Sequence, residues 1–182
     1  VAIGFGVVFL MAASLFGSLG IWQLGRAGEK RAIFAAYALG TTGALQEGLG
    51  GANAGEQRYQ LLRLQGHYDA GRQVLLDNMS HAGRSGYQVL TPFITAGGSV
   101  LVNRGWVPAS GDRGRLPDIE VSDQLRLLTG RIDRLPRPAL RLAADAAVSA
   151  APWPRRLLFP TVAEISTQTG YALRDFQLLL NP

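Results

Sequence analysis

The pattern of hydrophobic and polar positions divides the chain into an uncharged apolar opening segment and a longer part built from short runs. Residues 1–25 carry no Asp, Glu, Lys, Arg or His, and a helix needs roughly 20 apolar residues to cross the hydrocarbon core of a membrane. Trp22 lies near the end of this run, where interfacial aromatic residues are common. The pattern therefore predicts a transmembrane helix. A cleaved signal peptide is the alternative, because the Ala12-Ala13-Ser14 stretch imitates a cleavage site.

The next part of the chain predicts a second helical stretch and then a linker. Residues 26–39 contain no Pro, and charged residues at 29–31 precede the apolar Ile33, Phe34 and Tyr37, which favours a helix that continues from the span. Glycine then becomes frequent, which is typical of a flexible linker. We therefore expect a transmembrane helix over 1–25, a juxtamembrane helix with a Gly-rich linker over 26–57, and a β-rich domain over 58–182.

From residue 58 onward, short apolar runs separated by turn residues indicate β-strands. Ala96-Gly97-Gly98 predicts a hairpin, and Thr161 with Glu164 forms a capping box that begins a short helix ending near Gly170. The segment 134–160, rich in Pro, Ala and Arg, predicts an excursion from the sheet. The predicted strands are 58–65, 73–77, 87–95, 99–107, 125–132 and 176–180. The predicted fold class is α+β: an N-terminal transmembrane helix followed by an antiparallel β-sheet or open β-barrel domain with short helices.

Composition excludes several kinds of chemistry. The chain has no cysteine, so it forms no disulfide or zinc–thiolate site by itself. His67 and His81 are its only histidines, which argues against an all-histidine metal site, and we predict no metal site. A serine-hydrolase site is not predicted, because no G-x-S-x-G turn is present. The net charge is +5. A basic series consists of Arg126, Arg131, Arg134, Arg137 and Arg141. Interrupting acids and the lack of interleaved aromatics favour a solvated, membrane-proximal face over a nucleic-acid site.

The stretch from Asn103 to Pro108 is the most distinctive polar motif in the β-rich part. Arg104 follows an apolar strand and could hold a carboxylate or propionate through two parallel hydrogen bonds. Trp106 could line a site for an apolar or aromatic ligand. The structural alternative is that Arg104 pairs with Asp77 or another local acid while Trp106 packs in the core.

Three stretches taken together resemble the Surf-one (Surfeit locus protein one) family of cytochrome c oxidase assembly factors. The first is Gly20-Ile21-Trp22-Gln23-Leu24-Gly25-Arg26, with Lys30 following. The second combines Gly66-His67-Tyr68-Asp69, Leu76-Asp77-Asn78 and Gly86-Tyr87-Gln88-Val89-Leu90-Thr91-Pro92. The third is Val100-Leu101-Val102-Asn103-Arg104-Gly105-Trp106-Val107-Pro108.

The resemblance implies a protein with two membrane spans and a domain between them on the outer side of the membrane. It implies a role in delivering or inserting haem a into the catalytic subunit of the oxidase, without enzymatic activity of its own. The second span is expected beyond Pro182, and with it the histidine thought to serve haem. That role is not transferred to His67 or His81. The expected partners are the catalytic subunit, haem a synthase and membrane lipid, with no nucleic acid.

The expected location is a bacterial inner membrane, with the main domain on the periplasmic side. Arg26, Lys30 and Arg31 follow the first span and by themselves favour a cytoplasmic flank, so the resemblance and the local charges disagree on orientation. The candidate contacts to haem or a partner are Arg104 and Trp106, followed by Trp22, Gln23 and Arg26. The alternative function is a membrane-anchored scaffold that binds oxidase subunits without contacting haem.

Overall fold

The computed structural model describes residues 2–53, 55, 57–112, 114–137 and 152–180. The elements in chain order are α1 (Ala2–Thr42), β1 (Gln46–Glu47), β2 (Leu61–Tyr68), β3 (Val74–His81), β4 (Arg84–Thr95), β5 (Gly98–Pro108), β6 (Arg126–Asp133), β7 (Arg155–Leu157), α2 (Val162–Thr169) and β8 (Leu173–Leu180). The chain divides into two compact units, Val1–Leu39 and Gly40–Pro182.

The first unit consists of α1, a continuous helix that includes the predicted stretch 26–39. Within the described part of the chain, Gly4–Gly40 is the one helix long and apolar enough to cross a membrane. A helix of 41 residues is about 60 Å long at 1.5 Å per residue, roughly twice the thickness of a hydrocarbon core. The uncharged first part of α1 is therefore sufficient for a span, and the charged part extends beyond that length.

The second unit is a five-stranded barrel with extensions. Strands β2, β6, β8, β5 and β4 are successive neighbours, and β4 returns to pair with β2, which closes the barrel. The β5–β8 pair is parallel and the other four barrel pairs are antiparallel. Strands β3 and β7 extend the sheet from β4, and β1 extends it from β2. The α+β prediction is confirmed, with a barrel that is closed and a sheet that is mixed.

Closure of the barrel depends on a glycine in β2. Along β2, the buried positions alternate with more accessible ones, as expected of a strand with one face toward a core. Gly66 lies where β2 leaves β6 and pairs with β4, opposite Thr95. A side chain at Gly66 would overlap the Ile94 carbonyl and the Phe93 ring. Glycine therefore lets the two strands approach closely enough to complete the barrel.

The barrel core includes part of the segment that glycine content predicts to be a flexible linker. Leu49 and Ala52 are only 2% and 6% exposed and pack in this core. That prediction is therefore corrected for these residues: the segment contributes to the packed domain. The buried members of the barrel core are Leu49, Ala52, Leu62, Leu64, Tyr68, Phe93, Val100, Val102, Ile132, Phe176 and Leu178.

The predicted excursion over 134–160 contains the short strand β7, which pairs in parallel with β3. Residues 138–151 lie outside the described part of the chain. After the excursion, α2 begins with the predicted capping box. The Thr161 hydroxyl accepts a hydrogen bond from the Glu164 amide at 3.2 Å, and the Glu164 carboxylate accepts one from the Thr161 amide at 2.6 Å. The helix ends at Gly170, which has the left-handed φ of 75°.

Candidate functional site

The distinctive polar motif lies at an irregularity in β5. Asn103 pairs with Leu90 and Trp106 pairs with Gln88, so β5 has one more residue than β4 between these pairs. Gly105 supplies the backbone φ of +105° that this bulge contains. Glycine adopts that conformation without the steric cost that other residues would have. The extra residue sets the direction of Arg104 relative to Trp106.

Arg104 connects three parts of the domain through its half-buried guanidinium group. Its Nη1 donates to Gln73 Oε1 and to the Ile119 carbonyl, both at 2.8 Å, and its Nη2 donates to the Glu120 carbonyl at 3.0 Å. These bonds use three of the five N–H donors that an arginine has. The partners of Arg104 are thus an amide and two backbone carbonyls rather than Asp77.

Tyr68 lies beside Arg104 at the end of the barrel where β2 ends and β6 begins. The guanidinium carbons of Arg104 and Arg126 are 5.8 Å and 5.9 Å from the centre of its ring. Burial raises the pKa of the Tyr68 hydroxyl, and the two arginines oppose that rise. Burial lowers the pKa of Arg104, and Tyr68 opposes that fall. Arg104, Arg126 and Tyr68, together with Gln73, form what we call the Arg104 surface. Two cations beside a neutral phenol favour an anion there.

Two clefts adjoin this surface. The first has a volume of about 200 Å³, and Asp118 and Glu120 line it together with Arg104. The second, of about 710 Å³, is lined by Tyr68 with Asp69, Arg72 and Tyr171 among others. Here the Tyr171 hydroxyl donates to Asp69 at 2.9 Å and accepts from Arg72 at 2.9 Å. Burial and then Asp69 raise the pKa of Tyr171. The Tyr171, Asp69 and Arg72 side chains of the second cleft thus bind one another.

Trp106 lies on the other face of β5. It is directly opposite Gln88, whereas Val107 and Val89 pack with a separate cluster that includes Ile119. The Trp106 indole nitrogen donates to the Met79 carbonyl at 2.8 Å, and its ring lies 5.4 Å from that of His81. The structure therefore places Arg104 and Trp106 on different surfaces, where they do not line a common site.

Asn103 forms a buried amide network that fixes the bulge. Its Nδ2 donates to Gln88 Oε1 and Gln177 Oε1, both at 3.1 Å, and its Oδ1 accepts from the Gly105 amide at 3.0 Å. Gln177 in turn donates to the Arg134 carbonyl at 2.9 Å. Because Asn103 and Gln177 are buried and the three amides satisfy one another, this part of the motif holds β4, β5 and β8 in register.

The other predicted contacts lie in the first unit. Trp22, Gln23 and Arg26 are exposed on α1, and Arg26 forms an ion pair with Glu29 at 3.2 Å. Nothing in the geometry of α1 tests their contact with haem or a partner, so these contacts remain predictions. In the described part of the chain, no group of three or more His, Cys, Asp or Glu side chains is placed to hold a metal ion.

The residues of the Arg104 surface that were not predicted as site residues are Tyr68, Gln73 and Arg126. Tyr68 belongs to the Gly66–Asp69 motif, which is a usable sequence signal for a site residue. The sequence places Arg126 only in the basic series. Gln73 had the weaker signal of a polar residue directly before the apolar run of β3. The motifs 66–69, 86–92 and 100–108 lie on β2, β4 and β5, which are paired around the barrel. The pairing of these three strands brings the three motifs close together in the barrel.

A model of the SURF1 family matches residues 10–181, which include most of α1 and the whole barrel. The chain belongs to the SURF1 family. The resemblance inferred from the three motif stretches is confirmed. A search of curated proteins found no match. Membership of the SURF1 family implies a role in cytochrome c oxidase assembly and association with its assembly machinery. Members of the family are assembly factors and are generally not enzymes.

Proposed function

We propose that this SURF1-family protein is a membrane-anchored assembly factor that assists delivery or insertion of haem a into the catalytic subunit of cytochrome c oxidase. The match of one family model to both α1 and the barrel is the observation that carries the proposal. The proposed location is a bacterial inner membrane with the barrel on the periplasmic side. In this proposal the protein has no catalytic residues of its own.

The proposed anchor is the uncharged part of α1. Its residues before Arg26 carry no charged side chain, and residues 4–25 are mostly exposed apolar groups, as lipid contact requires. Trp22 would lie at the membrane interface, next to Gln23 and Arg26, where aromatic and basic side chains are favoured. These three side chains would contact lipid headgroups, haem a or the oxidase subunit. Haem a synthase is the proposed supplier.

The chemical groups of haem a are complementary to the Arg104 surface. Haem a combines a broad apolar ring with anionic propionates, and Arg104, Arg126 and neutral Tyr68 form a cationic surface at the end of the barrel. Such a surface would bind a propionate through charge-assisted hydrogen bonds. Trp106, on the other face of β5, would serve a separate contact with the ring or with a protein partner. No iron ligand is assigned among the described residues.

A deletion strain complemented with the full-length protein tests this function. Purified catalytic subunit is quantified by immunoblotting, and its haem a by a redox difference spectrum. We expect deletion to lower the ratio of haem a to catalytic subunit and the intact protein to restore that ratio. A second strain, complemented with Arg126→Gln, should restore it only in part. Arg115→Gln is the matched control, because Arg115 is also exposed and lies outside the Arg104 surface.

The scaffold alternative predicts a different result from the same strains. A scaffold that never contacts haem would stabilise subunits, so deletion would reduce the amount of catalytic subunit while each remaining subunit kept its normal haem a. That outcome would refute haem delivery and leave the assembly role intact. An oxidase unaffected in both amount and haem content would refute the assembly role in this organism as well.

A further inference from the structure

A further cleft of the barrel unit is separate from the Arg104 surface. It has a volume of about 850 Å³, within the usual range of small-molecule sites. It opens between the start of α2, the start of β8 and the chain that follows β6. Its lining residues are Ala52, Asn53, Gly55, Arg134, Leu135, Pro136, Arg137, Phe159, Pro160, Thr161, Val162, Ala163, Arg174, Asp175 and Phe176.

The cleft has an apolar interior. Phe176 and Leu135 are 1% and 8% exposed and belong to the two hydrophobic cores on either side. Phe159 adds a half-buried aromatic ring, and its backbone has the positive φ of 48°, which is rare for a bulky residue. Strained backbone of this kind is concentrated at ligand sites. The interior is therefore suited to an apolar body of limited size.

The same cleft has a cationic rim. Arg134, Arg137 and Arg174 line it and are exposed, while Asp175 is the one acidic side chain among the described lining residues. No ion pair in the described part of the chain involves these three guanidinium groups. Arginines that remain without a carboxylate partner around an apolar cleft are suited to an anionic head group.

We propose that this cleft binds a small amphiphile whose apolar body carries a carboxylate. The body would lie against Leu135, Phe159 and Phe176, and the carboxylate would face the arginine rim. An acyl chain with a terminal carboxylate has this chemistry. The proposal goes beyond the function in oxidase assembly and does not depend on it, because it shares no residue with the Arg104 surface.

Equilibrium binding to the full chain in nanodiscs of neutral phosphatidylcholine tests the proposal, with empty nanodiscs as background. The probe is dodecanoate, compared with its neutral analogue dodecanol. Dodecanoate should bind at least tenfold more tightly than dodecanol, because only the acid forms charge-assisted bonds. Equal binding of the two would overturn the proposal.

A matched pair of variants locates the binding. Arg137→Gln with Arg174→Gln should weaken binding of the acid at least tenfold and leave binding of the neutral analogue within about twofold. Arg84→Gln with Arg115→Gln removes the same charge from exposed positions outside the cleft and should change neither. Both pairs replace exposed side chains, so the fold should persist. Equal losses in the two pairs would overturn the proposal, whereas the oxidase phenotype tests the proposed function separately.

Discussion

Replacing Arg104 with Met tests whether this arginine holds the loop at Ile119 and Glu120 against the barrel. Methionine retains an unbranched apolar chain but has no donor, so all three hydrogen bonds of the guanidinium group are lost. In the variant, Gln73 Oε1 still accepts from the Thr91 hydroxyl at 2.8 Å. The Ile119 carbonyl still accepts from Gln73 Nε2 at 3.2 Å.

The magnitude follows from which acceptors lose their partners. Hydrogen bonds to charged groups contribute about 1.5–3 kcal/mol each, but two of the three acceptors retain another donor. The third, the Glu120 carbonyl, is at an exposed site where water can replace Arg104. We therefore expect a loss of about 2 kcal/mol in the free energy of unfolding, well below the sum of three bonds. For a domain of this size, that loss lowers Tm by roughly 4–8 °C.

Two measurements on the full chain in detergent check this reasoning. Thermal unfolding should give the lower Tm for Arg104→Met and an unchanged Tm for Arg115→Met, the control at an exposed arginine. Amide hydrogen exchange should become faster around Ile119 and Glu120 while the protection of β2 is retained. If Arg104→Met melts like the control, or if exchange at Ile119 is unchanged, the proposed anchoring is refuted.

Three further changes test other contacts. Gly86→Ala places a methyl group on the Trp106 indole, so it should lower the free energy of chemical unfolding by about 3 kcal/mol. Gly111→Ala, which has open space around it, is the control and should leave that free energy unchanged. Similar values for the two variants would contradict the close approach of Gly86 to Trp106. Burial raises the pKa of Tyr68 above its unfolded value, so native stability should decline as pH rises past about 10. In the Tyr68→Phe variant, stability should decline less with pH than in the unmodified protein. Parallel stability profiles of the two proteins against pH would contradict the assignment of the decline to Tyr68. Thr161→Ala removes the hydroxyl half of the capping box and should cost about 1 kcal/mol. Thr161→Ser should retain most of that stability, so equal melting of the two variants would refute the contribution of the hydroxyl cap.

Local patterns were sufficient to predict most elements of the fold. The apolar opening segment, the hairpin at residues 96–98 and the capping box at Thr161 depend on neighbouring residues, and each is present in the structure. Barrel closure could not be predicted in this way, because it depends on the long-range approach of Gly66 to β4. Leu49 was missed for a related reason: its burial results from the tertiary fold, while its glycine-rich neighbours indicate flexibility.

The candidate site was predictable to the level of motif residues but not to the level of their arrangement. Strand alternation places Arg104 and Trp106 on one face, since they are two positions apart. The bulge at Gly105 reverses this, and a bulge depends on the register with the neighbouring strand. Arg126 joins Tyr68 because β6 pairs with β2, a contact that no local pattern contains. Family membership indicates the role in oxidase assembly, and the fold determines the neighbours of each side chain.

The anchoring of Arg104 and its proposed binding of a propionate are compatible. The three bonds to Gln73 and the loop hold the guanidinium group in place before any ligand arrives. A ligand that meets a fixed arginine does not have to order a flexible side chain, which removes a cost of about 0.5–1.5 kcal/mol from binding. Two N–H donors of Arg104 remain beyond these three bonds. A substitution at Arg104 therefore changes stability and recognition together, whereas Arg126, exposed beside the same ring, changes recognition with little effect on the fold.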